Sequence, residues 1–190
     1  MPPPSSPPIA PPWQDARAQI GFQFPADYRA FVDRYGAGEI NDHLIVFAPT
    51  ERPYQPGLPG GFRGYTAFAE QDIGTAFAAM RDGDPCNHPY PLFPHPGGLL
   101  VWGRTYDGDH LFWNTEDPDP DRWPVVTWLR HEPSPGWRPY DGTATDFLLA
   151  LATHSHPHTG VLIGNPAQQP RWVIAEDWTR TYDPPPETDE

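Results

Sequence analysis

Several groups of side chains in this chain have types and spacings that chemistry could use. His154, His156 and His158, in HSHPH, put three imidazoles within five positions, and nitrogens gathered that closely can share a metal ion if the chain bends to bring them together. Pro157 lies among them, a helix is expected to end just before them, and no cysteine or carboxylate nearby completes a four-ligand set. An extended segment would point alternate histidines apart, so they read as a polar exit from a helix and no metal is assigned. His88 and His95 bracket the segment from Pro89 to Pro96 as a potential acid and base, but nothing in the sequence orients either one.

Asp107 and Asp109, beside Trp102 and Trp113, have the composition of paired carboxylates flanked by sugar-stacking rings. Aspartates around a glycine in a tight turn usually serve the backbone, and raising a carboxylic acid's pKa needs burial that a solvent-facing turn does not give. No serine stands in a G-x-S-x-G elbow and no glycine-rich loop carries G-K-[ST]. The single cysteine, Cys86, excludes an intramolecular disulfide and reads as a small buried or half-buried side chain. No catalytic residue and no cofactor is assigned.

Charge is more informative. The chain has 25 acidic residues against 12 basic ones, all of them arginine, for a net charge of −13 over 190 residues. Such a surface repels nucleic acid and anionic membranes and favours a cationic partner. Asp107, Asp109, Glu116, Asp117, Asp119 and Asp121 follow one another without an arginine, interleaved with Trp113 and followed by Trp123. Steering charge combined with large rings is what a docking site for a basic protein requires, and a solvated loop after a hairpin is the plainer reading. No run approaches the roughly 20 apolar residues of a membrane-spanning helix. The opening MPPPSSPPIAPP has neither the basic leader nor the apolar centre of a secretory signal, so the sequence places the protein in the cytoplasm.

The elements that must position these residues follow from pattern. Trp13 to Ile20 predicts a short helix ended by Gly21. Pro25 opens a second one, in which Tyr28, Phe31, Val32 and Tyr35 line one face and Gly36 is the stop. Gly38 eases a turn before a strand at Leu44 to Phe47, covered on both faces. Prolines and glycines predict a long loop over residues 53–64, and a helix over Thr66 to Arg81 follows. Leu99 to Thr105 and Asp109 to Asn114 form a hairpin around Tyr106-Asp107-Gly108. Pro124 to Leu129 and Trp137 to Tyr140 add strands, the latter at an edge because of Pro139. Thr143 caps a last helix with Asp146 three residues on. Val161 to Ile163 and Trp172 to Ile174 read as edge strands. The fold class is α+β: one domain with a largely antiparallel sheet of five or six strands, flanked by helices at both ends.

Three blocks in this order carry a family resemblance: Pro25 to Gly38, reading PADYRAFVDRYGAG; Pro91-Leu92-Phe93-Pro94 with Gly97 to Gly103, Asp107-Gly108-Asp109 and Leu111-Phe112-Trp113; and Trp123 to Val126 before the Thr143 helix. Together they resemble the SMI1/KNR4 family of the SUKH superfamily over residues 13–153. Residues 1–12 are then expected to be a disordered proline-rich tail, 154–182 an extension and 183–190 an acidic disordered tail. The resemblance implies a non-catalytic protein-binding domain, most often an immunity protein that neutralises a toxin domain. The expected contacts with a basic partner are Glu39, Asp107, Asp109, Trp113, Glu116 and Asp117. A regulatory scaffold for a cellular protein is the first alternative, and a carbohydrate-binding or carbohydrate-active protein using the eight tryptophans the second.

Overall fold

A computed structural model of the chain describes residues 1–4, 8–165 and 168–175. A 3-10 turn at Trp13–Asp15 leads into α1 (Ala16–Ile20), which Gly21 ends with φ 85°. In α2 (Ala26–Tyr35) the expected inward face is formed by Tyr28, Phe31 and Val32, with Pro25 one position earlier than the sequence implies, as the N-cap.

Seven antiparallel strands then make one sheet in the order β6-β5-β4-β3-β2-β1-β7. They are β1 (Gly38–Ile40), β2 (Leu44–Val46), β3 (Leu99–Thr105), β4 (His110–Asn114), β5 (Val125–Trp128), β6 (Trp137–Tyr140) and β7 (Trp172–Ile174). The count exceeds the expected five or six because Gly38 belongs to a strand instead of a turn. A Cβ there would stand 2.2 Å from the Val173 carbonyl, so glycine is needed for the close approach of β7. The turn itself falls on Asn41 and Asp42, at φ 57° and 54°, two residue types that tolerate the left-handed region. β6 lies at one edge, as Pro139 requires, and β7 at the other.

Rings cover both faces. On one, Trp102 and Trp113 stack with centroids 5.8 Å apart, Tyr28 of α2 meets Trp113 at 4.7 Å, and Phe147 of the last long helix meets Trp102 at 6.0 Å. On the other, Phe77 contacts Phe112, Trp128 and Trp137 at 5.3, 4.9 and 5.7 Å. His110 lies in this second layer 5.0 Å from Phe77, and burial lowers its pKa to about 4. Phe77 belongs to α4 (Thr75–Gly83), which continues α3 (Gly61–Phe68) through a π-helical turn at Ala69–Gly74. The helix therefore starts five residues before the predicted Thr66, inside the expected loop. Gly64 promotes it through close approach, since a Cβ would lie 1.8 Å from the Pro59 carbonyl.

Thr143 caps α5 (Ala144–Ala152) in the predicted capping box with Asp146. The run Val161 to Ile163 is not a strand but the end of α6 (Thr159–Ile163), which buries Leu162 and Ile163. An apolar run this short does not distinguish the two by periodicity. Residues 183–190 lie outside the described residues. Of the proline-rich start, Met1 accepts a hydrogen bond from the Tyr35 hydroxyl at 3.1 Å.

Two aspartates tie the helices to distant chain. Asp121 accepts from the Ala26 N–H at 2.6 Å, and Asp27 accepts from both the N–H and the hydroxyl of Thr145 at 2.9 Å. Each satisfies a donor that a helix start leaves unpaired and places negative charge at the positive end of the dipole. Replacing Asp27 or Asp121 by alanine is expected to lower unfolding free energy by about 1 kcal/mol each in urea titrations, with the slope unchanged. A loss below about 0.3 kcal/mol at both positions would contradict this capping role.

Candidate partner-binding surface

The six residues expected to contact a partner divide by burial and by place. Trp113 is 0 % exposed, inside the stack just described, so it holds the sheet to α2 and is unavailable as an anchor. Asp109 is 1 % exposed. Its carboxylate accepts from the Thr105 hydroxyl at 2.8 Å and from the Arg130 N–H at 2.8 Å, while its own N–H donates to the Thr105 hydroxyl at 3.0 Å. The turn aspartate thus serves the backbone, latching the hairpin to the chain leaving β5.

Glu39 is 3 % exposed, on the middle residue of β1, and accepts from the Tyr106 hydroxyl at 2.9 Å. Burial raises its carboxyl above the ordinary glutamate range, and the Tyr106 hydrogen bond opposes that shift. Asp107, with 66 % of its side chain exposed, extends from the turn 3.8 Å from His43. Glu116 is exposed and Asp117 partly so.

The structure also separates them. Asp107 precedes β4 and Glu116 follows it, and five residues of antiparallel strand span about 17 Å. Glu39, Asp107 and Asp109 therefore share one end of the β3–β4 hairpin, and Glu116 and Asp117 begin a loop at the other. Within that loop, Asp117 accepts from the Asp119 N–H at 2.8 Å, and Asp119 from the Asp121 N–H at 3.2 Å. Arg122 stands 3.9 Å from Asp117 and 3.6 Å from Asp119, and the Trp123 indole donates to the Asp117 carbonyl at 2.7 Å. Part of the acidity is thus spent on turns and caps, and Glu116, Asp117 and Asp119 turn the remainder outward.

The other constellations resolve by packing. His156 packs edge-on against Phe147 and tilted against Tyr140, at 4.8 and 5.7 Å, and the N–H of His158 points to His156 Nδ1 at 3.2 Å. Among the described residues no three histidine, cysteine or carboxylate side chains gather as metal ligands. His88 lies against Trp128 and Trp137, whereas His95 is exposed. Cys86 is exposed, contrary to the expected burial, in the loop after α4. All tryptophans among the described residues are buried or half-buried, five of them in the core, which leaves the carbohydrate reading without an open platform there.

The order of blocks, the helical pair ahead of an antiparallel sheet and the capped helix behind it agree with a family model described as SMI1-KNR4 cell-wall, which matches residues 12–148. The chain belongs to the SMI1/KNR4 family. The match covers well over half its length, from the turn before α1 into α5. No curated protein and no solved structure matches the chain. The SMI1/KNR4 domain here also continues past the matched residues, because β7 pairs with β1 in the same sheet. Sequence reasoning missed β1, whose glycine and glutamate mask a buried strand. No helix among the described residues is long and apolar enough to cross a membrane.

Glu39 yields a test of burial against exposure. With its folded pKa raised, the native state holds a proton that the unfolded chain releases first, so stability falls as pH rises from about 4.3 through the folded value. Glu39→Gln keeps an acceptor for Tyr106 and removes the ionisation. Its urea midpoint should exceed that of the parent at pH 7 and converge with it near pH 4. A constant difference across that range would show Glu39 to be solvated.

Proposed function

We propose that this protein is a non-catalytic binding domain of the immunity type, acting in the cytoplasm to neutralise a basic toxin domain by covering the surface its substrate would use. Membership of the SMI1/KNR4 family carries the reading, since the family is known for protein-binding domains of this kind. The charge supports it: a net −13 with no lysine attracts a cationic protein, and a nuclease toxin presents a basic surface for phosphate.

The contact surface in this reading is the loop from Glu116 to Asp119, with Asp107 as a second point at the far end of the hairpin. Glu116, Asp117 and Asp119 steer the partner in, and the rigid sheet beneath them supplies the blocking mass. Trp113, Asp109 and Glu39 contribute by holding that frame. Inhibition then needs no bond to be made or broken, only occupancy.

The experiment is a stopped-flow titration against the toxin domain encoded beside this gene, at about 0.01 M and about 0.15 M ionic strength, where the screening length falls from about 30 to about 8 Å. Association is expected to slow on the order of tenfold with added salt, and Glu116→Arg with Asp117→Arg to slow it similarly at low salt while the protein remains folded. No binding at low salt would refute the immunity reading. Binding at an unaltered rate by the double variant would remove the loop from the interface.

A further inference from the structure

One side chain anchors α4 to the sheet. In the sequence TAFAAMRDG only Phe77 and Met80 are large and apolar, and Phe77 alone is buried, with Met80 half-buried beside the core. Thr75, Ala76, Ala78 and Ala79 are exposed, so the outer side of this helix is held by nothing. Phe77 enters a ring layer on the sheet, edge-on to His110 at 5.0 Å and to Trp128 at 4.9 Å. Fixed points stand at both ends of the helix. Ahead of it, the π-helical turn buries Ala69 and Ile73, and Asp72 lies 3.8 Å from Arg104 of β3. Behind it, the Trp137 indole donates to the Asn87 carbonyl at 2.9 Å, and Tyr90 packs on Trp137 at 5.1 Å. A π turn interrupts the regular i→i+4 ladder, and it ends here on Gly74, the residue type with the most backbone freedom, so the chain can bend where α4 begins.

The one titratable group in the ring layer that Phe77 closes is His110. Its ring stacks on Phe112 at 5.9 Å and lies 6.1 Å from Trp128. Nδ1 donates to the Gly108 carbonyl at 2.9 Å, which leaves Nε2 to take a proton. Burial lowers its pKa to about 4. The Gly108 carbonyl opposes that shift, Arg104 on β3 adds to it, and Asp109 of the turn and Asp72 of the π-helical turn oppose it. Arg104 is also its cross-strand neighbour in the β3–β4 register. From α4 and β5 only the uncharged rings of Phe77 and Trp128 meet it. A charge on His110 is therefore disfavoured while Phe77 covers it, and favoured once water reaches it.

We propose that α4 is a hinged flap: it swings on the π-helical turn, carries Phe77 out of the ring layer and uncovers Phe112, Trp128 and Trp137, and it opens more often in acid because His110 beneath it takes up a proton. The sign follows from linkage. A histidine whose pKa is depressed in the closed form supports closure fully above about pH 6.5, and that support is lost as the pH falls towards 4. Between about pH 7.5 and about pH 5 full solvation of His110 would raise the open population about thirtyfold, and partial solvation on the sheet surface somewhat less. The flap does not rest on the partner reading above, since it concerns the sheet face away from α2 and needs no second molecule.

Amide hydrogen exchange on the full chain tests it, read as protection factors so that the pH dependence of the chemical step is removed. The amides of α4 are expected to be less protected than those of β3 and β4 and to respond less to about 1 M urea, because the flap exposes far less surface than global unfolding. Their protection should fall between about tenfold and about thirtyfold from pH 7.5 to pH 5. His110→Phe keeps a ring edge for Phe77 and removes the proton site, so protection of α4 should then be constant over that range. Equal protection and equal urea response in α4 and in β3 and β4 would overturn the flap, since α4 would leave the sheet only on global unfolding. Protection of α4 in the parent that does not change over this range, or a pH dependence that survives in His110→Phe, would overturn the part assigned to His110.

Discussion

The stack of Trp102 on Trp113, held between Tyr28 and Phe147, is the contact on which the rest of the structure depends. It joins the two central strands, β3 and β4, to the helices at both ends of the matched region, α2 and α5, across long stretches of chain. Rings of this size each bury 150–250 Å², roughly, and prefer the offset and edge-on arrangements seen here. Phe24 extends the cluster by meeting Tyr28, Trp113 and Tyr65, so α3 is drawn in as well. A sheet centre covered in this way is rigid, and Trp102, Phe112 and Trp113 are buried in it. The proposed contact surface accordingly lies on loops and turns at the strand ends.

That division explains how an acidic chain folds despite its charge. Carboxylates close to the frame are given donors: Asp27 and Asp121 at helix starts, Asp109 inside the hairpin, Glu39 under Tyr106. Each local use removes some self-repulsion from the folded state, and what remains outside, at Glu116 and Asp107 among others, gives a one-signed field for long-range attraction. Arg104, over the Phe47 ring, is a local exception, with Asp72 as its acidic neighbour at 3.8 Å.

Much of the frame was legible in the residues. The spacing of Tyr28, Phe31 and Val32, the Asp-Gly turn, the Thr143-Asp146 box and Pro139 at an edge each state a local rule that tertiary structure does not override. Gly38 and Gly64 were opaque for a shared reason: a glycine required by a close backbone approach looks in sequence like one required by a turn. The candidate surface was less legible. Counting acids along the chain joined Asp107 to Glu116, which β4 holds apart, and ranked Trp113 by size without its burial. Alternation along β4 does put Trp113 opposite Phe112, but both faces of β4 are covered, so neither ring is offered to a partner.

The central claim is that this protein acts by occupying a partner and does no chemistry of its own. Measuring the residual activity of the adjacent toxin domain against the molar ratio of this protein tests it most directly. Activity is expected to fall linearly to a break at a fixed ratio and stay there with time. Loss of activity that continues with time at a small fraction of that ratio would mean turnover, and would contradict the account.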